Sequence, residues 1–274
     1  MIFNEFVHLC QPDGQKSCGA CCGLYNYRNS TRDALDARLQ ARTVLFKDIV
    51  EKRSDLSHYA AQVRGAEDSA KRYDVIYCCE YLGYLNAACT KVGCLLHPVQ
   101  NNGDDLRDVS FYGQELCAGH FCPSYHYFSR EESLALIRIL DDWYLYGLCV
   151  TDIDLVKTWF RLIAEAVHEM PSPEALSREG LKEISARFFG LKTNWPYRSS
   201  DTNRLGKYYF DGAQYMIKNI DYSSFGLAPS RFNALFLSLT SEFQNRSEIE
   251  EAEILIQGYI NTFADHYQNQ GSAA

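Results

Sequence analysis

The sequence contains no basic run, and its 27 lysines and arginines are outnumbered by 35 aspartates and glutamates, a formal net charge of −8. A nucleic-acid backbone is thereby disfavoured as a partner, because phosphate binding relies on a concentrated basic surface. The opening residues Met1-Ile2-Phe3-Asn4-Glu5-Phe6-Val7-His8 carry an acid early and lack a basic flank. They reach no apolar run long enough for a signal peptide or a membrane span, so no membrane partner is expected and the chain reads as cytoplasmic. Signatures of common catalysts are missing too: no P-loop, no Gly-x-Gly-x-x-Gly after a strand, no Gly-x-Ser-x-Gly elbow and no Cys-x-x-x-Cys-x-x-Cys triplet. His168-Glu169-Met170-Pro171 is not a zincin motif, since the second histidine is absent and proline stops the helix. There is no internal repeat. These absences leave the question of an enzyme open, because no reaction is named by a motif.

Cysteine is missing after Cys149, and what precedes it is concentrated. Cys10, Cys18, Cys21 and Cys22 fall within thirteen residues, followed by Cys78, Cys79, Cys89, Cys94, Cys117 and Cys122. Four soft ligands this close describe a site for zinc or an iron-sulfur cluster better than they describe a core. Disulfides are not required for stability, because a 274-residue chain of 46% hydrophobic content can build a real core. In a reducing compartment clustered cysteines are more often metal ligands or redox groups than bridges, and eleven of them cannot all pair. Cys18-x-x-Cys21 as a thioredoxin-like redox pair is disfavoured, because no βαβ pattern surrounds it and a third thiol sits alongside. A four-thiolate zinc site keeps a residual charge of about −2, so the bound form stays acidic.

The remainder reads as mainly α, with an irregular cysteine-rich metal-binding lobe packed on a multi-helix body. Ser30-Thr31-Arg32-Asp33 resembles a capping box and opens a helix over about 31–53, carrying Leu35, Leu39, Phe46, Ile49 and Val50. The weaker pattern of 54–72, with Gly65 inside it, reads as a loop or a poorly packed helix. Residues 75–126 show no long helical period, and metal coordination is expected to compensate for that missing regular core. Ser129-Arg130-Glu131-Glu132 is a capping box ahead of Leu134, Ile137, Leu140, Tyr144 and Leu148 on one helical face. Further helices are expected over about 152–169, started by Thr151 and Asp154, and from Ser172-Pro173-Glu174 to an end at Gly190. Others are expected near 204–219, 229–244 and 248–267, the last capped by Ser247 with Glu250. The organisation is a lobe at 1–126, a helical body at 127–268 and a polar tail at 269–274.

Cys10…Cys18-Gly19-Ala20-Cys21-Cys22, Cys79-Glu80-Tyr81-Leu82, Gly93-Cys94-Leu95-Leu96-His97-Pro98, Cys117 and Cys122 together resemble the YkgJ-type cysteine-cluster family of zinc- or iron-chelating domains. The likeness covers about residues 10–122. It departs from the family pattern at His97, where an arginine usually precedes the proline, and in the long Val99–Leu116 insertion. It implies a metal set of Cys10, Cys18, Cys21, Cys22, Cys79, Cys94, Cys117 and Cys122, holding one or two zinc ions, or alternatively iron or an iron-sulfur cluster. A more distant resemblance, to flagellin lysine methylases through the Cys-x-x-Cys-Cys cluster alone, implies an iron-sulfur enzyme of methyl or electron transfer. Adjacent Cys21 and Cys22 usually project in different directions, so they are expected in two neighbouring sites or on different atoms of one polynuclear cluster. Cys89 stands open between spare ligand and loop thiol, while Cys78 and Cys149 read as buried small apolar residues. His97 and His120 read as hydrogen-bonded or surface groups rather than ligands. The aromatic set Tyr208, Tyr209, Phe210 and Tyr215 reads as core rather than a ligand pocket.

Overall fold

The structure, a computed structural model, describes residues 7–200 and 219–271, so the helix expected near 204–219 and its aromatic set lie outside the described residues. The cysteine-rich part begins with two short 3-10 turns, Ala20–Cys22 and Leu24–Asn26, and leads into α1 (Arg32–Ile49). Thr31 stands at the N-cap without a side-chain capping bond, so the expected capping box does not form. Asp33 in the first turn and Lys47 in the last still complement the helix dipole. The weak pattern after it is a helix after all, α2 (Leu56–Ala66), with Gly65 in its last turn. Leu56, Tyr59, Ala60 and Val63 are its buried residues, an i, i+3, i+4, i+7 stripe that the intervening polar residues hide from a composition-based reading.

Arg42 joins these helices to the cysteine segment. Its guanidinium is buried, and every direction it points in is met. Nε and Nη2 donate to the two carboxylate oxygens of Glu67 at 2.6 and 2.7 Å, Nη1 donates to the Cys79 carbonyl at 2.8 Å, and Nη2 also donates to the Tyr27 hydroxyl at 2.7 Å. A bidentate pair of this kind is rigid as well as strong. The segment it holds runs into an antiparallel hairpin of β1 (Leu82–Tyr84) and β2 (Val92–Cys94), in which Leu82 faces Cys94, Gly83 faces Gly93 and Tyr84 faces Val92. Three-residue strands are too short to show a period of two, which is why the hairpin is invisible in the sequence. After it comes α3 (Gly113–Gly119).

The body is built from α4 (Ser124–Tyr127), α5 (Arg130–Ile139), α6 (Trp143–Val150), α7 (Ile153–Val167), α8 (Pro173–Leu176), α9 (Glu179–Asn194), α10 (Asn233–Ser238) and α11 (Arg246–Gly271). Ser129 Oγ accepts from the Glu132 N–H at 3.1 Å and Glu132 Oε2 accepts from the Ser129 N–H at 2.8 Å, a complete capping box for α5. The stripe that follows is divided between two helices. Asp142 Oδ2 accepts from the Leu145 N–H at 2.9 Å and so starts α6 afresh. Asp152, not Thr151, caps α7. Ser172 caps the single turn α8, and α9 then runs through Gly190 to Asn194. Asn245 Oδ1 accepts from the Glu248 N–H at 3.0 Å at the start of α11, two residues earlier than the expected cap at Ser247. Only Asn233–Ser238 is helical in the region expected at 229–244.

The main core lies between α5, α6, α7, α9 and α11, where Trp159 stacks on Phe188 at a centroid distance of 4.0 Å and meets Phe263 edge-on. Leu9, from the first cysteine segment, belongs to this core. Inside it sits an ion pair: Lys192 Nζ donates to Asp152 Oδ2 at 2.5 Å and to the Ser238 carbonyl at 2.7 Å, while Ser238 Oγ donates to Asp152 Oδ1 at 3.0 Å. Both ionised side chains are essentially inaccessible to water. No described helix is long and apolar enough to cross a membrane.

Removing one member of a buried pair strands the other charge, a loss of about 3–5 kcal/mol. Lys192→Met is therefore expected to lower the unfolding free energy, measured by urea denaturation, by that much. Lys192→Met with Asp152→Asn recovers a large part, because asparagine keeps the α7 cap without the orphan charge. Equal stability of the single and double variants in urea unfolding would show that the pair is not coupled.

Candidate metal centre

The paired cysteines lie on the 3-10 turn Ala20–Cys22, closed by the Gly23 N–H donating to the Ala20 carbonyl at 2.8 Å. A 3-10 turn has three residues per revolution, so successive side chains diverge by about 120°. Gly23 leaves the turn in the left-handed region with φ +80°, and a Cβ at this position would stand 2.2 Å from the Tyr77 carbonyl oxygen. Only glycine allows that approach. It lets the Cys79 N–H donate to the Cys22 carbonyl at 2.9 Å, laying the second cysteine segment along the first.

Other backbone contacts bring further cysteine segments alongside one another. Cys10 and Cys18 are brought together by the Cys18 N–H donating to the Cys10 carbonyl at 2.9 Å. Cys21 and Cys122 share a thiol hydrogen bond, and Cys21 also feels the charge of Cys18 and Cys10. Tyr125 fixes this group from the body side: its hydroxyl accepts from the Cys10 N–H at 3.0 Å and donates to Cys10 Sγ at 3.3 Å, while its own N–H donates to the Cys122 carbonyl at 3.0 Å. Cys22 instead has Cys79, Cys94 and Cys117 as its foremost charged neighbours, with Cys10 the weakest of the four groups that act on it. Cys22, Cys79 and Cys94 pack on one apolar cluster with Leu56, Tyr59, Leu95 and Leu96. Cys117 Sγ lies 3.4 Å from Ser110 Oγ, and Arg107 faces both Cys94 and Cys117.

Burial raises most of these thiols. It pushes Cys79 up to about 12 and Cys94 to about 11, and it raises Cys10, Cys18 and Cys22 as well. Cys21 and Cys122 behave as a pair. Their mutual hydrogen bond lowers Cys122 and raises Cys21, so one proton leaves early and the other late. Against burial stand amides placed two residues downstream of the sulfur: Ala20 for Cys18, Tyr81 for Cys79, Leu96 for Cys94 and Ser124 for Cys122. Donors so placed favour a thiolate, the form that binds metal.

The donor chemistry fits zinc or iron. Among the described residues, however, no group of three or more His, Cys, Asp or Glu side chains is gathered as a ready-made ion site. The remaining cysteines are elsewhere. Cys78 is buried and donates to the Gly23 carbonyl at 3.3 Å, and Cys149 is buried in the main core. Cys89 sits on the hairpin turn at φ +53°. His97 Nδ1 accepts from the Val99 N–H at 3.2 Å and caps a 3-10 turn, and His120 is exposed. Tyr125, Arg107, Arg42 and Ser110 escaped the sequence reading; nothing in their local sequence marks them, since their roles arise only from the chain's return to the cysteines. No family model, curated protein or solved structure matches the chain.

Gly23→Ala must shift either the Cys22 turn or the Tyr77 backbone, an expected cost of about 1–3 kcal/mol. Gly14→Ala, with open space around its Cβ and no left-handed φ, is expected to be silent. Thermal melts of the two variants check this, and matching midpoints would refute the close-approach argument.

Proposed function

We propose that this chain is a metal-binding protein that chelates zinc or iron through Cys10, Cys18, Cys21, Cys22, Cys79, Cys94, Cys117 and Cys122, with the helical body as scaffold or interaction surface. The supporting observation is that backbone bonds lay the cysteine segments alongside one another, Cys18 on Cys10 and Cys79 on Cys22, and that Cys18, Cys79, Cys94 and Cys122 each sit beside an amide two residues downstream. Incidental thiols distributed for packing alone would have no reason to meet. The resemblance to the YkgJ-type family points to the same residues. With coordination closed by thiolates, zinc has no open position for substrate, and its contribution is to the folding of the lobe. An iron-sulfur cluster uses the same donors and would supply electron-transfer chemistry instead.

Purification without oxygen, followed by elemental analysis and an absorption spectrum, separates the alternatives. A colourless protein with stoichiometric zinc supports the zinc reading. A brown protein with iron and acid-labile sulfide moves the assignment to the iron-sulfur alternative. Wild-type protein that holds neither metal, before or after anaerobic loading, sinks both. Cys21→Ser and Cys22→Ser are each expected to lower bound metal and loosen residues 10–122. Cys149→Ser, deep in the main core, is expected to leave metal content intact. Equal metal loss in all three variants would contradict the ligand assignment.

A further inference from the structure

We propose that residues 97–120 form a strap that lifts as one unit from the apolar cluster holding Cys22, Cys79 and Cys94. Lifting opens these thiols to a soft metal ion or a thiol-directed electrophile while the helical body stays folded. It is a property of the chain's own packing and is independent of the metal-binding reading above. From His97 to Pro123 no residue is buried. The large apolar side chains Val99, Phe111, Leu116 and Phe121 are exposed instead. Firm anchors stand at both ends. Leu95 and Leu96 are buried ahead of the strap, and the buried Ser124 donates its hydroxyl to the Val150 carbonyl after it. A stretch with so little buried apolar surface opens at a lower free energy than the core around it.

The strap's inward contacts fall on the cysteine cluster. Leu106 and Val109 pack, half-buried, against the group that contains Cys79, Cys22 and Cys94. Next in sequence, Phe111 stacks on Tyr77 at a centroid distance of 4.4 Å, and Tyr112 meets the same ring edge-on at 5.7 Å. Tyr77 stands two residues before Cys79, so this aromatic latch closes on the segment that carries the thiol. The polar ties to the anchored part include the Leu106 N–H to the Leu96 carbonyl at 3.2 Å, Asn101 Nδ2 to the Leu95 carbonyl at 2.8 Å, and an ion pair of Asp108 with Arg53. That ion pair is half exposed and contributes little in water. The strap is also tied to itself. The Gly103 N–H donates to the Pro98 carbonyl at 2.9 Å, Gln114 Nε2 donates to Asp105 Oδ2 at 3.0 Å, and Arg107 Nε donates to Asp105 Oδ1 at 2.8 Å. Such internal bonds make it move as one body instead of fraying residue by residue.

The test is alkylation of the reduced, chelator-treated full chain with iodoacetamide, the rate at each cysteine being read by peptide mass spectrometry. Cys79 and Cys149 are both buried, so each must be uncovered before it reacts. Cys149 lies in the main core and reports on unfolding of the body. Cys79 is expected to react faster than Cys149 by on the order of a hundredfold, the mark of a local opening. Phe111→Ala removes a largely exposed side chain and so leaves the fold intact. It is expected to raise the rate at Cys79 and Cys94 by roughly tenfold, the scale of one aromatic stack, with no change at Cys149. Val99→Ala, equally exposed but outside the latch, is expected to change none of them. Equal rates at Cys79 and Cys149, or a Phe111→Ala effect that is the same at both, overturns the strap. If chelation unfolds the chain, amide hydrogen exchange of the protein as purified decides. The amides of Leu106, Val109 and Gly113 are expected to share one opening free energy, lowered by Phe111→Ala, while those of α7 do not respond. Protection equal to that of α7, or no response to Phe111→Ala, overturns the strap in that measurement.

Discussion

The lobe depends on one backbone constraint: the chain must turn left-handed at Gly23 so that the carbonyl of Cys22 can receive the amide of Cys79. That contact is local in space and remote in sequence, and no side chain can replace it. Because a Cβ at Gly23 would collide with the Tyr77 carbonyl at 2.2 Å, the approach is enforced by sterics as well as by the hydrogen bond. Once the two strands of backbone are side by side, Cys78 and Cys79 take opposite fates. Cys78 turns into the core beneath Gly23, and Cys79 faces Cys22 and Cys94. Arg42 then fixes the Cys79 carbonyl from behind, so the position of the thiol is set from two directions.

The body supplies the other half of the geometry. Tyr146 donates its hydroxyl to the Leu9 carbonyl at 2.8 Å, and Tyr144 donates to the Ser30 carbonyl at 2.7 Å. Next to Tyr146, Gly147 leaves room for Tyr25; a Cβ there would stand 1.9 Å from its hydroxyl oxygen. The first cysteine segment is thus docked on α6 by ordinary packing and hydrogen bonding. Residues 97–122 have far less of this, since their regular structure is limited to α3 and short 3-10 turns and α3 has no buried residues. Ligation of Cys94, Cys117 and Cys122 would add constraint where the protein's own packing is thinnest.

How much of this could be read from the residues alone follows from the range of each interaction. The capping box at Ser129 and the proline start at Ser172 are local, and the sequence displays them directly. The division of the long stripe at Asp142 was missed because a face that is apolar on both sides of a break still looks continuous. Gly190 sits inside α9 rather than at its end, since the packing of Phe188, Phe189 and Leu191 outweighs the modest helical penalty of one glycine. The diverging surroundings of Cys21 and Cys22 follow from side-chain direction, which is local knowledge. Which downstream thiol each one meets is not, because the path through Val99–Leu116 carries no period from which to infer where the chain returns. The Lys192–Asp152 pair left no trace for the same reason: its members are forty residues apart and meet only through the packing of α9 on α7.

Charge gives the two sulfur groups different characters. A four-thiolate zinc centre keeps about −2, which must be spread over nearby donors if it is to remain buried. Beside Cys94 and Cys117 that role would fall to Arg107, whose charge is partly offset by Asp105 at 2.6 and 2.8 Å, and beside Cys79 to Arg42. The group containing Cys10 and Cys122 has a tyrosine hydroxyl and backbone amides in the corresponding places. Neutral donors stabilise a thiolate less than a guanidinium does at the same distance, because they offer only a dipole. At equal coordination, the sulfurs around Cys10 would thus retain more of their electron density and the sulfurs around Cys94 less. The first group would be the more readily alkylated or oxidised and the second the more resistant.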